Sequence, residues 1–291
     1  MDWITGFQKA IDYVEDNLTE DLDYTDIAGR AFVSGFYFQR AFSIMCGYTL
    51  GEYIRSRRLS LAGSELSSGG CRVIDVALKY GYDSPDSFTK AFTRFHGITP
   101  SAARMPGANL KAFSRLTIKV ILEGGSMLDY RIEKKQAFRV IGKSQIFNFS
   151  SEFIRDDIPA YWDRCHRDGT VDTLYGISRE SADSGVVFGI CFSEEPSGSK
   201  EFPYCIAARY EGGAVPDGYI VKDIEAHTWA VFRCVGAMPR AIQELWSRIY
   251  SEFLPTSGYT PAEDMDFEAY YEGDMDDAGY ISEVWIPVVK K

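Results

Sequence analysis

Apolar residues in the first hundred positions recur at helical spacing. In "SGFYFQRAFSIM", Phe38, Ala41, Phe42 and Met45 stand at i, i+3, i+4 and i+7, one stripe of a 3.6-residue helix. Phe36, Gln39, Arg40 and Ser43 form the opposite, outward stripe. The pattern then returns. Ser34, Phe38, Ala41, Phe42, Gly47 and Thr49 are matched by Ser84, Phe88, Ala91, Phe92, Gly97 and Thr99, each 50 positions on. Such self-similarity predicts a duplicated unit, and each copy reads as helix, tight turn, helix. Asp23 and Ser34 are placed to cap the helices of the first copy. Ser84 caps in the second, with Pro85 at the first helical position, where a missing N–H costs nothing. In that second helix Phe88, Ala91, Phe92 and Phe95 turn inward, and Asp86, Thr89, Lys90 and Thr93 turn outward.

Between the copies, Thr49 and Glu52 predict a capping box that opens a long helix through "LGEYIRSRRLSLA". Three arginines, Arg55, Arg57 and Arg58, crowd into four positions there. They cannot all enter a core, so one is expected on phosphate, with Arg58 the candidate, and another on an acid of the same domain. After "MPGANLKAFSRL", a connector, the periodicity changes. From "RLTIKVILEGGSMLDYRI" onward, strand-like alternation and glycine-rich turns dominate. Two helical stretches interrupt them, one around "SSEFIRDDIPAYWDRC" and one in "RAIQELWSRIYSEFL". An α+β unit repeated twice accounts for that order. The expected division is therefore residues 1–106, a linker at 107–114 and a second domain at 115–291.

Charge sharpens this division. The chain of 291 residues has a formal net charge of -11, yet residues 1–127 carry 14 basic and 14 acidic side chains, so the whole excess lies beyond them. Residues 34–110 hold 9 basic against 5 acidic residues. A basic module joined to an acidic one predicts two tasks, with the basic module facing a polyanion. The six cysteines are scattered and read as small buried hydrophobes in a reducing cytoplasm. No apolar run approaches the roughly 20 residues of a membrane span, and the amphipathic, acidic start is unlike a signal peptide. A cytoplasmic protein without a membrane partner is expected.

The duplicated helix-turn-helix, "LGEYIRSRRLSLA" between its copies and the closing "VIDVALKYGYDSPDSFTKAFTRFHGITPSAAR" resemble the AraC/XylS family of transcription regulators. The resemblance implies that two short helices enter successive major grooves of promoter DNA, with RNA polymerase as a further partner. By position it gives base contacts to Phe36, Gln39 and Arg40 in the first helix, and to Pro85, Asp86, Thr89 and Lys90 in the second. Pro85 and Asp86 stand where relatives tend to offer amide donors, which predicts weaker base readout by the second copy.

No nucleophile elbow, P-loop, dinucleotide fingerprint or metal-ligand spacing appears, so no cofactor is expected. Aromatics are the resource of the second domain. In the closing strand Glu283 and Trp285 share a face, and a carboxylate in apolar surroundings asks for a cation or donors. "MLDYRIEKKQAFRVIGKS", an expected "LYGI" strand and "FEAYYEGDMDDAGYISEVWIPV" resemble the GyrI-like effector-binding domain. That domain implies two βαββ halves with a cleft for a small amphipathic or cationic effector. Glu283 occupies the place of a cation-binding strand glutamate; Trp285, Tyr270, Trp246, Trp162 and Tyr175 are expected to line the cleft. A minority of such domains resemble hydrolases of small strained rings, which is the alternative to a regulator of the Rob-like type. The expected fold is thus an all-α double helix-turn-helix domain followed by an α+β domain of two βαββ halves.

Overall fold

A computed structural model describes residues 3–118, 127–148, 154–192, 201–262 and 265–291. Two compact units emerge: Met1–Gln39 with Tyr48–Ile121, and Arg40–Gly47 with Leu122–Lys291.

In the first unit the helices are α1 (Trp3–Asp16), α2 (Tyr24–Arg30), α3 (Gly35–Cys46), α4 (Leu50–Ser68), α5 (Val73–Lys79), α6 (Pro85–His96) and α7 (Pro100–Ala103). The second half of α3 belongs to the other unit. The expected caps form. Asp23 accepts from the Thr25 N–H, Ser34 from Tyr37, and Ser84 from Ser87. Thr49 and Glu52 close a capping box on α4. Local chemistry repeats with the sequence: Gly47 and Gly97 both take a positive φ after their helices, and Thr99 caps α7 as Thr49 caps α4. Phe88 and Phe92 anchor α6 beneath Leu59, Ala62 and Leu66 of α4.

The arginine run is mostly internal. Arg57 pairs with Glu15 of α1 (2.7 Å) and donates to the Phe113 carbonyl. Arg58 donates to the Leu18 and Glu20 carbonyls at 2.7 and 2.6 Å, tying α4 to the loop after α1. Two donors of the Arg58 fork thus hold the protein's own backbone. The connector is corrected. Residues 111–118 lie as an extended strap on the first unit: Phe113 N–H donates to Ser60, Leu116 N–H to the Tyr53 hydroxyl, and Ile118 N–H to Gln8. The strand expected through "RLTIKVIL" is not formed in residues 115–118, and its remainder lies outside the described residues.

The second unit holds β1 (Tyr130–Lys135), β2 (Phe138–Asn148), α8 (Ile154–Arg167), α9 (Thr170–Arg179), β3 (Val186–Phe192), β4 (Glu201–Arg209), β5 (Ile220–Ile224), β6 (His227–Val235), α10 (Arg240–Arg248), β7 (Tyr259–Pro261), β8 (Met265–Tyr271) and β9 (Ile281–Lys290). The main sheet runs β1-β6-β9-β8-β3-β4-β2-β5, with β7 against β9. β2-α-β3-β4 and β6-α-β8-β9 are the two βαββ halves, joined by antiparallel pairing of β3 with β8. The "LYGI" segment is helix α9, not a strand. Val171, Leu174 and Ser178 are buried there at helical spacing, a period that four residues are too short to reveal. The sheet curls strongly. Phe138 of β2 and Trp229 of β6, with four strands between them in the order, lie 6.4 Å apart between ring centroids. Their shared face encloses Phe188, Phe267 and Trp285.

The buried His96 ring of α6 yields a prediction. Its Nε2 bonds the Leu59 carbonyl (3.0 Å) and its Nδ1 accepts from the Lys111 N–H (3.2 Å), which requires the neutral ring protonated at Nε2. Burial lowers its pKa and the Lys111 charge adds to this, while the Leu59 bond opposes it. A base with a depressed folded pKa binds fewer protons folded than unfolded, so its contribution is present above about pH 6.5 and is lost as pH falls. Wild-type thermal stability is expected to fall from pH 7.5 to 5.5 more than that of His96→Leu, after each is referred to its own value at pH 7.5. Parallel pH profiles for the two proteins would contradict this.

Candidate functional site

β8 alternates two chemistries across the sheet. Phe267 and Ala269 enter the aromatic interior of the curl; Asp266, Glu268 and Tyr270 take the other face, as period-two geometry requires. Opposite Glu268 on β3 stands Gly189. A Cβ at Gly189 would lie 2.1 Å from the Tyr204 hydroxyl and 3.2 Å from the Trp162 ring. The glycine thus makes the space in which Tyr204 of β4 and Trp162 of α8 meet, with the indole N–H donating to the hydroxyl at 2.9 Å. Trp162 packs edge-on against Tyr270 (5.2 Å).

Two donors fix Glu268. Trp246 Nε1–H of α10 donates to one carboxylate oxygen (2.7 Å) and the Tyr270 hydroxyl to the other (2.9 Å). A π-helical turn, Ile249–Phe253, follows α10 and stacks Tyr250 on Trp246 at 5.8 Å. Tyr175 of α9 directs its hydroxyl to the Tyr270 and Tyr271 carbonyls. Burial pushes the Tyr204, Tyr250 and Tyr270 phenols upward, so they are neutral.

A cation already sits there, and it is Arg40. Its Nε and Nη2 donate to both Asp266 oxygens at 2.5 and 2.7 Å. Nη2 lies 3.7 Å from Glu268, and the guanidinium carbon is 4.9 Å from the Trp246 ring centre. Burial pushes the Asp266 carboxyl up to about 6, with Arg40 opposing the rise. Burial likewise acts to lower the guanidinium pKa, but Asp266 and the other acidic groups around it together outweigh burial and hold Arg40 firmly charged. A planar cation is thereby clamped by a bidentate carboxylate, a second carboxylate and an indole face.

Residues 131–288, just over half of the chain, match the integron-associated effector-binding proteins, and residues 27–105 match a helix-turn-helix domain. The chain belongs to the effector-binding family. The N-terminal part is 44% identical over 106 residues to the transcriptional activator AarP of Providencia stuartii, spanning 35% of this chain and 78% of AarP. Right origin-binding protein of Escherichia coli K12 is 25% identical over 291 residues, spanning 96% of this chain and 94% of that protein. Among solved structures, SAV2435 bound to tetraphenylphosphonium is similar at a TM-score of 0.49 and 23% identity, over 55% of this chain and 94% of that one. An AraC-type helix-turn-helix region joined to a GyrI-like effector-binding domain is the organisation these matches give, that of a ligand-responsive transcription regulator. Among the described residues, no helix is long and apolar enough to cross a membrane.

Within this effector-binding fold, Trp246, Tyr270, Trp162 and Tyr175 come together as expected around one face. Glu283 and Trp285 do not join them. Trp285 is packed in the opposite, aromatic interior, where its Nε1–H donates to Glu283 (2.8 Å). Glu283 is buried but not uncompensated, because Arg131 of β1 meets it at 2.6 Å. The pairing is non-local, across β1, β6 and β9, and nothing in the closing strand alone announces it. Sequence reading missed Asp266, Glu268, Tyr204, Tyr250 and Gly189.

The predicted DNA-reading faces differ as well. Pro85, Asp86 and Lys90 of α6 are exposed and Thr89 is half-buried. On α3, Phe36 and Gln39 are 7% and 1% exposed, and Arg40 is held as described.

Gly189 supplies a test of the site's packing. Gly189→Ala is expected to cost about 1–3 kcal/mol through overpacking, and Gly189→Ala with Tyr204→Phe to regain part of that loss. Denaturant midpoints check it; a Gly189→Ala chain as stable as wild type would contradict the close contact.

Proposed function

We propose that the chain is a DNA-binding regulator of the AraC type whose second domain senses a small amphipathic cation at Asp266 and Glu268. One observation carries this reading: two adjacent carboxylates, backed by Trp246 and Tyr270, already hold a planar cation out of water. Aromatic faces add roughly 0.5–2 kcal/mol each to a desolvated cation, and a delocalised charge loses less hydration than an ammonium. In this reading α6 offers Pro85, Asp86, Thr89 and Lys90 to promoter DNA. Phe36, Gln39 and Arg40 of α3 read an adjacent groove, and RNA polymerase is the downstream partner. Ligand binding acts by favouring one of two populations of the regulator.

Calorimetry on the full chain tests the ligand class, with tetraphenylphosphonium as cation and triphenylphosphine oxide as a neutral probe. Glu268→Gln keeps shape and removes charge. It is expected to weaken the cation more than tenfold, about 1.4 kcal/mol, and the neutral probe far less. Glu283→Gln, which alters the Arg131 pair on the other face, is expected to leave cation affinity within about twofold. Equal cation affinities for wild type and Glu268→Gln would remove the carboxylate from ligand binding.

A further inference from the structure

Beside Glu268 the second domain holds a hydrogen-bond donor that its own fold does not use. We propose that the Tyr204 hydroxyl decides which cations this domain accepts, by donating to a neutral acceptor, such as a carbonyl oxygen, carried on the effector's aromatic framework.

The groups that support this all belong to the second unit. Tyr204 of β4 is 2% exposed, and its hydroxyl oxygen accepts the Trp162 indole N–H at 2.9 Å. Burial pushes the phenol pKa upward, so the hydrogen stays on the oxygen. A hydroxyl both accepts and donates, and here only the accepting half is met. Among the described residues no acceptor takes the Tyr204 hydrogen. The donors on Glu268 are Trp246, on one oxygen, and Tyr270, on the other. A buried donor without an acceptor costs stability, and that cost is removed when a partner arrives.

Placement shows what the hydroxyl faces. In the sheet register Cys191 stands opposite Tyr204, and Gly189, two residues before it, stands opposite Glu268. The Tyr204 side chain crosses diagonally to Gly189, where a Cβ would lie 2.1 Å from its oxygen. Any side chain there would fill that space, so the glycine lets the hydroxyl reach the strand position beside Glu268. Burial is graded across the group: Tyr204 and Tyr270 are buried, while Trp162 and Glu268 are half-buried. A buried donor and a more open carboxylate thus converge on one aromatic region. A plain tetra-aryl cation would satisfy the carboxylate and the rings but leave the Tyr204 hydrogen unmet. A site with a buried donor discriminates against a ligand that lacks its partner.

This inference rests on the proposed reading of Glu268 as a cation receptor, and the test separates the two. The full-length protein is titrated by calorimetry with tetraphenylphosphonium carrying one acetyl group, meta or para. Each is compared with its isopropenyl twin, in which a methylene replaces the carbonyl oxygen. Wild type is expected to bind one acetyl isomer about fivefold more tightly than its twin, the effect of one neutral buried hydrogen bond. Tyr204→Phe should erase that preference and leave the isopropenyl affinity within about twofold of wild type. Trp162→Phe removes the donor to the hydroxyl but keeps the hydroxyl's own hydrogen, so the preference should survive there.

Equal binding of twins by wild type in both series would overturn this inference and leave the receptor reading standing. A hydroxyl that only positions Trp162 would affect both twins alike, so an acetyl preference that persists in Tyr204→Phe would overturn it too. If wild type takes up none of these cations, the receptor reading falls and this inference falls with it. Should Tyr204→Phe melt below wild type by more than a few degrees, the double variant Trp162→Phe with Tyr204→Phe serves instead. It removes donor and acceptor together, and it should likewise show no preference between twins.

Discussion

The antiparallel pairing of β3 with β8 is the constraint on which the second unit depends. It joins the two βαββ halves, and its register sets Gly189 opposite Glu268 and Phe188 opposite Ala269. Side chains alternate with a period of two, so a one-residue slip would turn every residue of β8 over. Asp266, Glu268 and Tyr270 would then enter the aromatic interior, and Phe267 and Ala269 would leave it. Both environments are strongly specified, one by Phe188, Trp229 and Trp285, the other by Trp246, Tyr204 and Trp162. The register is accordingly fixed from both faces.

Two buried carboxylates in this fold show how placement decides role. Glu283 meets Arg131 of a neighbouring strand, a group 48% exposed, and the Trp285 N–H. That pair is closed within the sheet and holds β1 near β9. Asp266 has its ion-pair partner 226 residues away in sequence, on a helix. Breaking a buried pair by withdrawing one partner costs about 3–5 kcal/mol, because the other charge is left without compensation. A site of this kind favours replacement of one cation by another over simple departure of the first.

Legibility in the sequence followed the range of the interaction. Caps, helical stripes and the 50-residue repeat are local, and Ser34, Thr49 and Ser84 perform the capping expected of them. The two βαββ halves were legible through alternation and through the resemblance. The site's acid was not. In "MDFEAYYEG" polar and apolar residues alternate, but the pattern does not say which face a helix covers and which face the sheet curls around. Glu283 stood out because its strand is otherwise apolar, and Arg131, which neutralises it, is 152 residues earlier. "LYGI" looked like a strand because four residues cannot separate a period of two from one of 3.6.

At one outward position the two copies of the helix-turn-helix carry different cations. Arg40 and Lys90 hold equivalent positions, on helices whose caps, buried phenylalanines and closing glycines agree. A lysine could supply charge to a groove from either position. Only arginine presents the flat, forked donor set that meets both oxygens of one carboxylate while stacking on an indole. Arg40 does both at once, on Asp266 and Trp246. The copy with arginine is therefore the one that an acidic, aromatic site can hold, and the copy with lysine remains exposed.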